Sequence, residues 1–222
     1  MISHTTEDYV KAIWLLQDSL NVSPVPMGEL AKKLELSPGT VTTMVKSIAK
    51  EGLVNYEPRR GACLTGKGEV LALRMVRRHR LVELFLVETL KMDWAEVHEE
   101  AERMEHAVSD AVVERLANFL GNPTVDPHGD PIPGSDGDVP GEARSEPLSE
   151  VAAGKTVVVT RIREQVAETL DYFSKRGIRP AASFEVVSRN AAGKVIELSD
   201  GSKERFALSL ETAGAIEVLV SS

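Results

Sequence analysis

Apolar and polar positions alternate along the chain with two distinct periods, helical in the first half and strand-like in the last third. Val10, Ile13 and Trp14 share one face of a helix that runs to about Ser19. Thr5 or Thr6 is suited to cap it, with Glu7 and Asp8 in its first turn; with Thr5 as the cap, Asp8 takes the third helical position and completes a capping-box-like pair. After NVSPVP, residues 27–34 form a short helix, Leu36 to Gly39 a turn, and Thr40 to Lys50 a second helix with Val41, Met44, Val45 and Ile48 inward. The next stretch, GLVNYEPRRGACLTGKG, reads as a strand, a turn on Pro58, Arg59, Arg60 and Gly61, and a returning strand. A helix-turn-helix followed by a two-stranded wing has the element order of a winged-helix domain, here residues 1–73.

Two long helical patterns follow. The first, from Lys67 to Met92, carries Leu71, Leu73, Val76, Leu81, Leu84, Phe85 and Val87, with His79 and Glu83 at i and i+4. The second opens at Trp94 and continues through Val112, Leu116 and Phe119 to Gly121. It contains HEEAERMEH, in which His98, Glu102, Glu105 and His106 fall at i, i+4, i+7 and i+8 and form one stripe of metal-binding residue types. On spacing alone the stripe is equally a solvated helix face. Apolar surface on more than one side of two long helices is most economically buried in a homodimer, so residues 74–140 read as a dimerisation region.

Residues 121–150 turn rich in Pro, Gly and Asp and read as an extended connection, with 141–150 as the linker proper. Its DPHGDPIPG portion gathers Asp126, His128 and Asp130. From residue 151 to 222 the pattern becomes short β runs, KTVVVTRI, SFEVVSR, KVIELSD, ERFALS and AIEVLVS, with a helix from Glu164 to Arg176 between the first two. Five short strands suggest a small SH3-like barrel. The fold class is mainly α with small β: winged helix, helical dimerisation domain and C-terminal SH3-like domain.

Composition narrows the function. The net charge of -8 argues against nucleic-acid binding by the whole surface, but residues 1–73 hold eight Lys and Arg against eight Asp and Glu, so the acid lies elsewhere. On the second helix of the helix-turn-helix, Ser37, Gly39, Thr40, Thr42, Thr43 and Lys46 offer small and cationic groups to a DNA groove, and Arg59 and Arg60 at the wing tip suit phosphates or the minor groove. The single cysteine, Cys63, and a start lacking a basic and apolar leader lead us to expect a cytoplasmic protein without a membrane segment. Enzyme readings fit poorly. HEEAE lacks the second histidine of the HExxH zinc-protease signature, and no two helices each carry the Glu-x-x-His of di-iron sites.

Five motifs in order, HTTEDYVKAIW, the helix-turn-helix, RRHRLVE, VHEEAERMEHAVSD and DPHGDPIPG, resemble the diphtheria toxin repressor family of metal-dependent transcriptional regulators in its three-domain form. The resemblance implies a primary metal site at Asp8, Glu102, Glu105 and His106. Iron-responsive members resemble a pattern with methionine at position 8 and cysteine at 102. The carboxylates here are similar to the manganese-responsive branch, and hard oxygen donors with one imidazole suit Mn(II). Compact manganese regulators carry a further glutamate where this chain has Lys11, so a paired-metal site of that kind is not expected. The resemblance places an ancillary site at His79, Glu83 and His98, with His128 from the connection and Asp126 as a weaker candidate. It puts a C-terminal ligand at Glu164 and a second at Arg161, which cannot bind a cation.

The function implied is a Mn(II)-dependent repressor of metal-uptake genes, a homodimer on double-stranded operator DNA with metal as co-repressor. Fe(II) is the alternative metal, and Co, Ni, Zn or Cd would substitute in vitro. The residues also leave open a winged-helix regulator that senses a non-metal ligand.

Overall fold

The computed structural model describes residues 2–141, 145–164, 166–201 and 205–221. Residues 142–144 of the expected linker, Gln165 within the expected helix and Glu204 at the head of ERFALS lie outside them. The chain divides into two compact units, one of residues 1–79, 105–109 and 133–138, the other of residues 80–104, 110–132 and 139–222.

The first unit is the winged helix. Helix α1 (His4–Leu20) starts earlier than its threonines suggested, because Ser3 is the cap and accepts the Thr6 N–H at 3.1 Å. Asp8 therefore lies beyond the first turn and does not cap. Helices α2 (Met27–Lys33) and α3 (Pro38–Lys50) form the helix-turn-helix; α3 begins two residues before the expected Thr40, with Ser37 capping and Pro38 in the first turn, where its missing N–H is no loss. Strands β1 (Val54–Glu57) and β2 (Gly61–Leu64) pair antiparallel as the wing, with Arg59 and Arg60 in the turn. Tyr9, Val10 and Ile13 of α1 share one core with Val41, Val45 and Ile48 of α3, so a shift of α1 is felt by the helix-turn-helix. Helix α4 (Gly66–Glu88) contributes its residues through His79 to this unit.

The expected long helix from Trp94 to Gly121 is two helices. Helix α5 (Val97–Met104) stops before Glu105, and α6 (Asp110–Phe119) restarts after a turn. Ser109 and Asp110, types that favour a helix start, mark the restart in the sequence. Only His98 and Glu102 of the stripe are thus helical. Glu105 and His106 lie in the turn, which belongs to the first unit, while α5 and α6 belong to the second.

The second unit is built on a six-stranded antiparallel sheet of order β3-β8-β4-β5-β6-β7, the SH3-like part of the chain. Strands β4 (Thr156–Ile162), β5 (Ser183–Asn190), β6 (Val195–Ser199), β7 (Arg205–Ser209) and β8 (Ile216–Val220) match the five β runs, and helix α7 (Ala167–Ser174) is shorter than the expected 164–176. The unexpected sixth strand, β3 (Glu146–Pro147), comes from the connection and pairs with β8. A short helix, α8 (Leu210–Gly214), joins β7 to β8. Phe173, Ile196, Leu198 and Val218 are buried at its centre, with Ala95 and Trp94 against the same core.

The DPHGDPIPG segment is ordered. Asp126 Oδ1 accepts the N–H groups of His128 and Asp130, and Ile162 donates to the His128 carbonyl at 2.8 Å, which ties the loop to β4. A register shift between Val159 and Arg161 bends β4 there. Gly129 allows the close approach, since it has φ +88° and a Cβ would stand 2.1 Å from the Thr160 carbonyl oxygen. Gly129→Ala is expected to lower stability by at least about 2 kcal/mol in urea unfolding. Gly154→Ala, with φ +82° but open space around it, should cost only about 1 kcal/mol.

Candidate metal centre and nucleic-acid interface

Helix α1 has two faces. Its inner one fills the winged-helix core, and its outer one carries His4, Glu7, Asp8 and Lys11 at i, i+3, i+4 and i+7. This stripe meets the Glu105–His106 turn. The His106 ring stacks on His4 with centroids 4.5 Å apart. Its Nδ1 lies 2.8 Å from Glu7 Oε2, and its Nε2 lies 2.9 Å from Asp8 Oδ1 and 3.7 Å from Glu105 Oε1. One nitrogen of His106 therefore faces an orienting carboxylate, and the other faces two oxygen donors. That arrangement sets the tautomer and direction of a metal-binding imidazole.

Glu105 has no exposed surface. Its Oε1 accepts from Lys11 Nζ at 2.6 Å and its Oε2 stands 2.6 Å from His79 Nδ1. Burial pushes the Glu105 carboxyl up, but the hydrogen bond and charge of His79 and those of Lys11 prevail and hold it below the ordinary carboxylate range. Asp8, Glu105 and His106 each offer a donor atom within 4.8 Å of the others, so these three of the four expected primary ligands are gathered in one unit. Glu102, the fourth, is on α5 in the second unit, with Oε1 3.8 Å from His98 Nε2. Two oxygen donors and one imidazole nitrogen suit a hard or borderline divalent cation.

The second unit holds its own cluster. Glu83, Asp126 and His128 are all buried, and their donor atoms lie within the same mutual distance. His128 Nδ1 is 4.0 Å from Glu83 Oε2 and 3.9 Å from Asp126 Oδ2 and makes no hydrogen bond among the described residues, while Nε2 is 3.2 Å from the Trp94 carbonyl and the ring stacks on Trp94. A buried nitrogen aimed between two carboxylates at such distances fits a cation between them. Burial pulls the His128 imidazolium down in pKa, and the carboxylates of Asp126, Glu83 and Asp130 push it up, with the upward shift prevailing. Burial, Asp130 and Glu83 push Asp126 up. His98 Nδ1 is 3.1 Å from Glu83 Oε1.

His79, which belongs to candidate donor groups of its own, engages Glu105. Glu164 Oε1 accepts the Val166 N–H at 2.9 Å, a local turn contact, and stands in no such group among the described residues. Arg161, where the resemblance puts a ligand position, pairs with Asp130. Of the residues gathered around His106, sequence reasoning gave no role to His4 or Glu7 and read Lys11 only as a departure. Their helical spacing with Asp8 was the available signal.

The residues expected at the nucleic-acid interface are mostly accessible. Ser37, Gly39, Thr40, Thr43, Lys46, Arg59 and Arg60 are exposed and Thr42 is half-buried. The Thr42 and Thr43 hydroxyls donate to the Pro38 and Gly39 carbonyls, Lys46 Nζ stands 5.7 Å over the Tyr56 ring, and Arg60 pairs with Glu57 at 2.6 Å. No helix among the described residues is long and apolar enough to cross a membrane.

A winged helix whose first helix shares a carboxylate–imidazole cluster with a distant turn defines a metal-dependent DNA-binding transcriptional repressor, not an enzyme. Residues 1–62 match the iron dependent repressor N-terminal DNA binding domain, residues 65–134 its metal binding and dimerisation domain, and residues 146–220 the FeoA domain. The iron-dependent repressor IdeR of Mycobacterium leprae is 36% identical over 226 residues, covering 96% of each chain. The diphtheria toxin repressor of Corynebacterium diphtheriae is 32% identical over 213 residues, covering 88% of this chain and 92% of its own. A solved manganese-dependent transcriptional repressor in complex with manganese superposes with a TM-score of 0.86 at 37% identity, covering 97% of this chain and all of that one. The chain belongs to the iron-dependent repressor family that includes the diphtheria toxin repressor.

Because the folded Glu105 carboxyl is held low, its contribution to stability is present above the unfolded value, about 4.3, and is lost as pH falls through the folded one. Urea unfolding of metal-free protein between pH 7 and pH 3 should show that loss. Glu105→Gln should remove this part of the pH dependence and cost about 3–5 kcal/mol at pH 7, since it strands the buried Lys11 ammonium.

Proposed function

We propose that this protein is a Mn(II)-dependent repressor of metal-uptake genes that binds operator DNA as a homodimer. The observation that carries the reading is the junction of Asp8 with His106 at 2.9 Å, beside Glu105, in a donor set without sulfur. Glu102, three residues before Glu105, is the further oxygen donor that the family pattern supplies. The curated relatives above are named for iron and the similar solved structure for manganese; the carboxylates at positions 8 and 102 favour the latter. A bound divalent cation supplies positive charge at a point where the carboxylates otherwise repel one another.

Asp8 and the Glu105–His106 turn, sharing one cation, hold α1 against that turn. The opposite face of α1 is packed on α3, so the constraint passes through Tyr9, Val10 and Ile13 to the recognition helix. Turning a 1:99 mixture of binding and non-binding states into 99:1 takes about 5.5 kcal/mol of differential affinity. Donors drawn from two segments far apart in sequence supply it, because they come together only in the ordered state. Ser37, Gly39, Thr40, Thr42, Thr43 and Lys46 then face the major groove, and Arg59 and Arg60 the flanking backbone. Exposed apolar side chains of the second unit, among them Phe119 at 68% and Val112 on α6 and Leu90 in the turn after α4, favour pairing with a second copy, which gives the two-fold symmetry of a palindromic operator. Glu83, Asp126 and His128, with His98 beside Glu83, hold a second cation.

The test is fluorescence anisotropy on a duplex selected from random sequence with the Mn(II)-loaded protein, at one stated salt concentration. Asp8→Ala is expected to lose at least about tenfold in Mn(II)-dependent affinity, while keeping the salt-sensitive background binding. Undiminished Mn(II)-dependent binding by Asp8→Ala contradicts the proposal.

A further inference from the structure

Lys11 is among the most buried charged residues of the first unit, 6% exposed, and its ammonium rests on the oxygen of Glu105 that faces His106. It stands one turn from Asp8 on the same face of α1. The buried Glu105 carboxylate is thus satisfied on both oxygens by the chain's own groups, Lys11 on Oε1 and His79 on Oε2. We propose that Lys11 is a resident cation that holds Glu105 in the metal-free protein, and that a divalent metal ion bound by Asp8, Glu105 and His106 takes Oε1 from it. Lys11 then sets the metal concentration at which the switch responds.

The competition between the two cations is electrostatic. An ammonium 2.6 Å from Oε1 and a divalent cation bound to the same oxygen are like charges at close range in a site shielded from water, so the two cannot both keep that position at low cost. The metal-free state is stabilised by the pair; the metal-bound state gives it up. His79, on the other oxygen, is compatible with both states and serves to aim the carboxylate. A site with Asp8, Glu105 and His106 alone would therefore bind metal more tightly than this one does. The lysine weakens affinity while it keeps the empty site folded.

This inference rests on the metal-binding reading of that cluster, and the test separates the two. The full chain, demetallated, is titrated with Mn(II) by calorimetry, following the component that Asp8→Ala abolishes, and melted with and without Mn(II). In Lys11→Met the dissociation constant of that component is expected to fall by at least about tenfold, the scale on which groups around metal ligands act. The metal-free melting temperature should fall while the Mn(II)-loaded one changes little. Lys11→Arg, which keeps a cation on Glu105, should stay near wild type. If Lys11→Met does not fold without metal, Lys11→Gln, which keeps a hydrogen-bond donor but not the charge, is read through the same two quantities. Unchanged or weaker Mn(II) affinity, with the loaded and metal-free forms destabilised equally, assigns Lys11 a merely structural role and overturns the inference. A wild-type protein with no component sensitive to Asp8→Ala overturns instead the reading on which it rests.

Discussion

A carboxylate with no access to water must be paired, and Glu105 is the one around which the first unit is arranged. Its two oxygens draw in Lys11 from α1 and His79 from the end of that unit's share of α4. The backbone carbonyl of the same residue accepts from Arg78 at 3.1 Å. Two segments remote in sequence thus converge on this one residue. The adjacent His106 completes the junction through Glu7 and Asp8. The far side of α1 is packed into the winged-helix core beside α3, so this junction and the helix-turn-helix rest on the same helix.

Elements with a strong local signal were legible in the sequence. The helix-turn-helix followed from apolar spacing at Val41, Val45 and Ile48, the wing from its Pro-Arg-Arg-Gly turn, and the β runs of the last third from period-two patterning, all of which the structure contains. The break after Met104 was not legible, since Glu105 and His106 keep a helical spacing with His98 and Glu102 although the chain leaves the helix between them. The Ser3 cap was hidden by two threonines that are equally good caps, and it moves Asp8 out of the first turn, so that Asp8 is not the capping residue the spacing suggested. Strand β3 was invisible because two residues, one of them Pro147, carry no period.

The same division holds for the site. Residue types and spacing singled out Glu105 and His106, the family resemblance added Asp8, and the structure brings the three together. Glu7 and Lys11 were missed because their significance is a partner about a hundred residues away. Asp126 and His128 stood out as an odd composition in a proline-rich connection, and the physical reason is the turn around Asp126 Oδ1, which buries His128 against Trp94 and beside Glu83. Each unit therefore carries a carboxylate–imidazole cluster of its own, one bearing on the DNA-reading core and the other on the loop that meets the bend in β4.

The central claim is that metal binding immobilises α1 through Asp8 and the Glu105–His106 turn. Hydrogen exchange along α1, measured by mass spectrometry on the full chain with and without Mn(II), tests it most directly. The account predicts that the amides from His4 to Leu20 exchange at least about tenfold more slowly with Mn(II), and that Asp8→Ala removes the difference. Equal exchange of α1 in the two states, with Mn(II) demonstrably bound, would contradict it.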